Sequence, residues 1–308
     1  MPYVDKSYHE MGQSPWFSTL DSANSWADWC NLVLYWTTYG IYVTSLGMGK
    51  GCTWLFKLLV ALIFLVVLII CLQQVINYLS YDRKGPSAAV VRMLGMAGLE
   101  EPLARALYWY VLQIAFSLLL IRLIIRRPFR DVGFNLYNMK SSRTIISLFI
   151  PIYTIVVVLA WYGMARIWGV GMILSGVESQ TLTYRMKDIA IFSLLPGPGE
   201  EPLFRIFVIQ FLLMVLYSGK DAEIRVSKVF LIIISSLLFA LAHVFVLSFV
   251  PLQLKYSVLQ VVTSFVLGMV YAYSYLHTKS ILAAVVCHNY TDFVVRFGAY
   301  LLLGFVGV

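Results

Sequence analysis

The sequence predicts an all-α fold, a polytopic bundle of about eight transmembrane helices in an integral membrane protein. Of the 308 residues, 60% are hydrophobic and 12% are charged, whereas charged residues make up about 25% of a soluble domain. Apolar runs of roughly 20 residues recur along the chain, which is the length that a helix needs to cross a bilayer. The runs lack the strict alternation of barrel strands, and a helix satisfies its own backbone groups in lipid, so helices are favoured.

Eight apolar runs are candidates for membrane spans, and they differ in strength. The first is rich in Tyr, Thr and Gly and could instead lie along the membrane interface, whereas the second is the most apolar. The fifth is interrupted by the sequence Pro-Gly-Pro-Gly at residues 196–199. In chain order, the predicted spans are approximately 31–48, 58–79, 106–125, 144–168, 189–217, 229–250, 257–276 and 281–306.

The formal net charge of +8 comes from basic residues that cluster at the ends of the apolar runs. This placement is typical of charges that set the orientation of a membrane protein and face anionic lipid. No basic stripe interleaved with aromatic residues suits a nucleic acid. We therefore expect membrane lipids, and no nucleic acid, among the partners of this multi-pass protein.

Two adjacent carboxylates and an arginine follow the Pro-Gly interruption. Pro202 fits the first turn of a restarted helix, and Glu201 and Arg205 then lie four residues apart on one face, in the favourable order for an ion pair. Glu200 lies about 100° around the helix from Glu201, so its carboxylate is left free and could act as a general base. Alternatively, both glutamates cap a helix start at the membrane surface.

Three further ionisable residues fall inside later runs, where charged groups are costly and therefore indicate function by default. His243 is predicted in the interior of the sixth span, where it could also be a hydrogen-bonded link between helices. His288 and Asp292 lie four residues apart on one face of the eighth span. They could form a structural His–Asp pair, or Asp292 could pair with Arg296, one turn further on.

The pattern Glu-Glu-Pro-Leu-x-Arg occurs twice, at residues 100–105 and 200–205. The residues around the two copies do not match well, and no histidine follows the first copy until His243. We therefore interpret residues 100–105 as a helix start at the surface and the second copy as the candidate site.

Three motifs in a fixed order resemble the CPBP family, which includes the type II CAAX prenyl endopeptidases and bacteriocin-processing or immunity proteins. They are Glu-Glu-x-x-x-Arg at 200–205, Phe-x-x-x-His at 239–243 and His-x-x-x-Asp at 288–292. Residues 129–134 and 268–273 also look like family patterns, so the resemblance covers about residues 129–300. We expect a CPBP-like protease core at 126–308, and an N-terminal tail with the first membrane helices at 1–125, to which no function is assigned.

The resemblance implies an eight-helix intramembrane fold whose cavity opens to cytosol and lipid, and hydrolysis by a water that a glutamate activates. By position in the motifs, Glu200 would be the general base and His243 would help to hold the water. His288 and Asp292 would stabilise the tetrahedral oxyanion. Glu201 and Arg205 would be the supporting pair, and no cofactor is implied.

Residue 292 departs from the family pattern in which an asparagine can donate to the oxyanion, because an ionised carboxylate cannot donate a hydrogen bond. Asp292 could serve if protonated, or by orienting His288. Alternatively, Glu200, His243, His288 and Asp292 could bind a divalent metal such as zinc, as two histidines and two carboxylates form a plausible ligand set.

The predicted function is an intramembrane endopeptidase that resembles CAAX prenyl proteases and cleaves a peptide or lipidated protein near the membrane. The alternative is a catalytically inactive scaffold or immunity-type subunit of a larger membrane complex, with the aromatic-rich residues 26–42 as a partner surface. An ion-coupled carrier is a third hypothesis, since broken helices are also typical of carriers.

Overall fold

The computed structural model describes residues 50–82, 86–170, 180–216, 227–249 and 251–306. The predicted first span at 31–48 and the aromatic segment at 26–42 lie outside these residues. The regular elements of the described chain are helices and one hairpin. Its elements are α1 (Lys50–Tyr81), α2 (Pro86–Met96), α3 (Glu101–Leu120), π1 (Ile121–Ile125), α4 (Met139–Trp168), α5 (Leu182–Leu194), α6 (Pro196–Glu201), π2 (Pro202–Phe207), α7 (Val208–Leu216), α8 (Lys228–Leu241), β1 (Phe245–Phe249), β2 (Leu252–Lys255), α9 (Val258–Thr278) and α10 (Leu282–Val306).

Four of the described helical segments are long and apolar enough to cross a membrane, and they correspond to the predicted second, third, fourth and seventh spans. Helix α4 is the clearest, because Ser142 and Val157 are its only buried residues and its apolar side chains face outward. So much exposed apolar surface is solvated by lipid rather than by water. The predicted all-α membrane bundle is confirmed, and the protein is an integral membrane protein. The four candidate spans among the described residues do not test the predicted number of about eight.

Local capping explains where several helices begin. The Thr181 side chain accepts a hydrogen bond from the Tyr184 backbone N–H at the start of α5, and Ser227 caps α8 in the same way. Ser257 is the cap of α9. These side chains replace the missing intrahelical partners of the first N–H groups.

The fifth predicted span is broken, as the Pro-Gly run indicates. Helix α5 ends at Leu194 and α6 starts at Pro196. Neither Pro196 nor Pro198 has a backbone N–H, so both fit the first turn of a new helix. The chain then continues through π2 into α7.

The sixth predicted span, 229–250, is wrong in its second half. Helix α8 ends at Leu241, and the chain turns at Ala242 and His243 into the antiparallel pair of β1 and β2. His243 was predicted in the interior of a membrane helix, but it lies in the turn after α8. Valine and phenylalanine favour strands, and Pro251 lies between β1 and β2, where a helix could not continue.

The loop after π1 is joined to the turn between α9 and α10. The Gly133 carbonyl accepts from the Ile281 N–H at 2.9 Å, and the Tyr275 hydroxyl donates to the Val132 carbonyl at 2.7 Å. Gly133 has a φ of 129°, and a Cβ there would lie 2.7 Å from the Tyr275 ring, so only glycine fits. These contacts hold α9 and α10 in place beside the broken segment.

The broken segment lies at the centre of the fold. Helix α6 packs against α3 and α10, and π2 packs against α3, α8 and α9. The side chains of π2 are buried throughout. Acidic residues carried by α6 are therefore enclosed by the helices that carry the two later motifs.

Candidate active site

Asn289 bridges the two sides of the helix break before Glu200. Its side-chain oxygen accepts from the Gly197 backbone N–H at 2.8 Å, and its amide nitrogen donates to the Leu194 carbonyl at 3.1 Å. Both backbone groups lose helical partners where the chain breaks, and buried polar groups need partners. Asn289 thereby ties α10 to the start of α6 and sets the direction in which α6 presents Glu200.

A buried chain of three side chains runs through the centre of the site. Arg205 Nε donates to Glu201 Oε2 at 2.8 Å, and Nδ1 of His288 donates to Glu201 Oε1 at 2.7 Å. The side chains of Glu201 and Arg205 are completely buried. Arg205 also donates to Ser235, whose hydroxyl donates to the Phe204 carbonyl. Charge-assisted bonds of this kind are strong and directional, so they fix the His288 ring.

The other ring nitrogen of His288 faces two carboxylates. Nε2 lies 4.0 Å from Oε2 of Glu200 and 3.7 Å from Oδ2 of Asp292. Neither distance is that of a hydrogen bond. The Glu200 side chain is 14% exposed and that of Asp292 is 38% exposed, so these two carboxylates line the accessible side of the site, opposite the enclosed Glu201.

Two aromatic rings enclose His288 and Arg205. The Tyr271 ring stacks on His288 with 5.1 Å between centroids and 12° between planes, and Phe239 meets His288 edge-on at 5.7 Å. The Arg205 guanidinium lies over both rings, at 4.7 Å from Phe239 and 5.8 Å from Tyr271. The Tyr271 hydroxyl also bonds Thr291 at 2.9 Å. This packing leaves the imidazole little rotational freedom.

His243 approaches the same cluster from the turn after α8. Its Nδ1–H donates to the Phe239 carbonyl at 2.9 Å, so Nε2 carries the lone pair and is an acceptor. The Phe239 ring, which contacts His288, also contacts the His243 ring at 5.0 Å. One phenylalanine ring therefore contacts both imidazoles.

Arg296 does not form the ion pair with Asp292 that one alternative predicted. It forms an ion pair with Asp188 of α5 at 2.8 Å, and its guanidinium lies 3.8 Å from the centroid of the Phe192 ring. The Tyr300 hydroxyl donates to the same Asp188 carboxylate. With Arg296 paired to Asp188, the Asp292 carboxylate lies beside His288.

The first Glu-Glu-Pro-Leu-x-Arg copy has a different environment. Glu101 pairs with Arg105 at 2.9 Å, but its side chain is 56% exposed, and Glu100 pairs with Lys187. The copy begins helix α3 and has no histidine partner among the described contacts. It is a helix start, as predicted.

Residues 182–294 match the model of the family described as type II CAAX prenyl endopeptidase Rce1-like. The match supports the resemblance of this segment to the CPBP family. No curated protein and no solved structure matches the chain. The segment contains all three motifs and every residue of the cluster described above. At the level of the family, the match supports a CAAX-protease-like membrane endopeptidase, a class that acts on protein or lipidated-peptide substrates.

The metal alternative concerns four side chains: Glu200, His243, His288 and Asp292. Within the described parts of the chain, no three His, Cys, Asp or Glu side chains are arranged to hold a metal ion. In the alternative ligand set of Glu200, His243, His288 and Asp292, Nδ1 of His288 is bonded to Glu201 and Nδ1 of His243 to a carbonyl. These bonds leave Nε2 of each ring as the nitrogen that a metal would use. We derive no step that passes through a metal.

Sequence reasoning missed two residues of this CPBP site. On the helix, Asn289 points about 100° away from His288, and that direction faces the helix break. A Pro-Gly break inside a membrane creates backbone groups that need partners, which was a signal for such an amide. Tyr271 lies within residues 268–273, which look like a family pattern, but a tyrosine in an apolar run is usually a packing residue and was not singled out.

Proposed function

We propose that the protein is an intramembrane endopeptidase in which Glu200 is the general base. The observation that carries the proposal is the environment of His288, whose Nδ1 is bound by Glu201 while Nε2 lies 4.0 Å from Glu200. A base and an oxyanion donor must both reach one reacting centre. A water or carbonyl oxygen lying beside these two atoms, on the side of the partly exposed carboxylates, would be within reach of both.

The proposed reaction needs no covalent intermediate with the enzyme. Glu200 takes a proton from water, and the water oxygen attacks the carbonyl carbon of the scissile peptide, whose π electrons move to oxygen. The proton on Glu200 then passes to the leaving nitrogen as the C–N bond breaks. The products are a carboxylic acid and an amine.

His288 and His243 are proposed to act on different oxygens. Since Nδ1–H of His288 is donated to Glu201, Nε2 can donate to the oxyanion only in the imidazolium form, and the surrounding carboxylates balance that charge. His243 has its lone pair on Nε2, so it would accept from the attacking water. Glu201 and Arg205 hold His288 and do not react.

The proposed substrate is a lipidated C-terminal segment or another peptide close to the membrane. The exposed apolar surface of the bundle supports a membrane-borne substrate, which would reach the site from lipid. We propose that the reaction uses no metal cofactor, because Glu200 and His288 together provide the base and the electrophilic stabilisation.

One observation favours a non-catalytic scaffold as a second candidate function. Asp292 Oδ2 lies 3.7 Å from Nε2 of His288, where the family places an amide, and an ionised carboxylate would repel an oxyanion. In that case the buried Glu201, Arg205 and His288 would serve packing alone, and a membrane protein would be the partner.

The test is cleavage of a quenched, prenylated CAAX-type peptide by the purified protein in nanodiscs. Glu200→Gln should lower kcat by about 10²–10⁴-fold, the usual contribution of a general base. The matched control is Glu100→Gln, which alters the equivalent glutamate of the first copy and should keep wild-type activity. A chelator should have no effect. Full activity in Glu200→Gln would exclude the mechanism, while loss of activity with chelator would restore the metal hypothesis.

A further inference from the structure

Helix α1, the most apolar of the four described candidate spans, carries three amide side chains near its end. Helix α1 has no amide or charged residue from Leu58 to Leu72, and then presents Gln73, Gln74 and Asn77. An amide in such surroundings is costly unless it is hydrogen-bonded. Asn77 accepts from the Trp109 indole at 2.8 Å, so its partner belongs to α3.

Gln73 binds the turn that carries His243, and Gln74 binds strand β1 just after it. Gln73 Nε2 donates to the Ala242 carbonyl at 2.7 Å, and Gln74 Nε2 donates to the Val246 carbonyl at 3.2 Å. These carbonyls flank His243, beyond the last residue of α8. Carbonyls at a helix end lack intrahelical donors, and a donor from α1 is one way to satisfy them inside a membrane.

The position of the His243 ring depends on this turn. Its Nδ1–H is held by the Phe239 carbonyl, one turn back on α8, which fixes the ring relative to the helix end. The bonds from Gln73 and Gln74 fix the chain just after the end of α8, at the carbonyls of Ala242 and Val246. Together they determine where the Nε2 lone pair of His243 lies.

We propose that Gln73 is a positioning residue that acts through His243. Its amide holds the turn so that His243 can accept from the water that Glu200 activates, an inference that rests on the function proposed above. A displacement of about 1 Å in a catalytic group can cost 10²-fold in rate. The N-terminal part of the chain, which the family match does not cover, therefore takes part in the site.

A purely structural role for Gln73 predicts a different result in a double-mutant cycle. Gln73→Met keeps the length of the side chain and removes the donor. We expect it to lower kcat by about 10–100-fold, with KM within about twofold because no substrate contact is removed. In a His243→Ala background the same change should have no further effect, because the group that it positions is absent.

Asn77→Leu is the matched control, because it also removes an amide from α1 but breaks a bond to Trp109. Any loss that it causes should be the same with and without His243. If Gln73→Met cannot be purified, Gln74→Met tests the other bond to the turn and should show the same dependence on His243. Thermal unfolding of each variant in nanodiscs separates loss of fold from loss of position.

Equal losses from Gln73→Met with and without His243, or an unchanged kcat, would overturn the proposal. Glu200→Gln is assayed in parallel to separate this from failure of the proposed function. An inactive Glu200→Gln with a fully active Gln73→Met refutes only the role of Gln73. A fully active Glu200→Gln refutes the mechanism on which both depend.

Discussion

The carboxylate of Glu201 lies 2.7 Å from Nδ1 of His288, and its other oxygen accepts from Arg205 at 2.8 Å. A single buried group therefore links the first motif of the chain to the last. Removal of the carboxylate would leave a completely buried guanidinium without its counter-charge, and an uncompensated buried charge is strongly destabilising.

We expect Glu201→Gln to lower the free energy of unfolding by about 3–5 kcal/mol, the usual cost of breaking a buried ion pair from one side. The glutamine amide would direct a donor at a donor on Arg205 or on His288. Activity should fall as well, because His288 loses its anchor. Thermal or denaturant unfolding in detergent measures the first effect.

The first copy of the motif supplies the control. Glu101→Gln removes the equivalent carboxylate from an equivalent pair, but Glu101 is 56% exposed, and exposed pairs contribute about 0–1 kcal/mol. If Glu101→Gln and Glu201→Gln lowered the free energy of unfolding by similar amounts, burial would not distinguish the two copies of the motif.

Some features of the site follow from local spacing and could be predicted. The pairing of Glu201 with Arg205 depends only on their separation by four residues in a helix, and the break before Glu200 depends on the lack of proline N–H groups. Their meeting with His288 is a contact between distant parts of the chain. The order of the motifs and the family resemblance pointed to that contact, whereas periodicity could not.

The position of His243 could not be predicted from the apolar pattern. Residues 239–250 are almost uniformly apolar, and no glycine or proline marks the end of α8 at Leu241. A continuous helix and a helix followed by a strand therefore have the same hydrophobicity. The role of Gln73 was equally hidden, because its partner is a backbone carbonyl, whose position leaves no trace in the sequence.

The pH dependence of stability should reveal the contact between α3 and α5. The hydrogen bond from Lys187 lowers the pKa of Glu100 below its ordinary value. A lowered pKa in the folded state adds stability above the unfolded pKa, and that stability is lost as the pH falls through the folded pKa. We expect Glu100→Gln to unfold at a slightly lower temperature than wild type at pH 7, and the difference to shrink as the pH falls below the ordinary pKa of a glutamate.

Lys187→Met should remove the same pH-dependent difference, since it removes the donor. Melting curves of the three proteins across this pH range measure the effect. A difference between wild type and Glu100→Gln that persists at the lowest pH would have another origin than this ion pair.

Gly197 is predicted to be intolerant of a side chain. A Cβ at this position would lie 2.6 Å from the Asn289 side-chain oxygen and 2.7 Å from the Val285 carbonyl. Since the second of these atoms is backbone, α6 and α10 would have to separate. We expect Gly197→Ala to cost about 1–3 kcal/mol, as overpacking does, and to lower activity by moving Glu200.

Gly163 of α4 is the matched control, because a Cβ there meets nothing within 4 Å. Gly163→Ala should be neutral, or more stable by up to about 1 kcal/mol because alanine is the better helix former. Unfolding and peptide cleavage are measured on both variants. Equal behaviour of the two would mean that the close approach at Gly197 relaxes freely.

Asp292→Asn separates the protease from the scaffold most directly. The change keeps the shape of the side chain, removes a negative charge 3.7 Å from Nε2 of His288, and adds an amide that can donate to an oxyanion. Single oxyanion donors contribute about 10²–10³-fold in kcat. The substitution also removes a negative charge that balances the His288 imidazolium, and this loss offsets part of the gain. We therefore expect kcat on the prenylated peptide to rise by about 10-fold. A fall as large as that of Glu200→Gln would mean that the carboxylate itself is required, with Asp292 orienting His288. The scaffold hypothesis predicts instead that neither wild type nor Asp292→Asn cleaves any peptide, while Glu201→Gln still lowers the free energy of unfolding. The buried chain of Arg205, Glu201 and His288 would then serve stability alone.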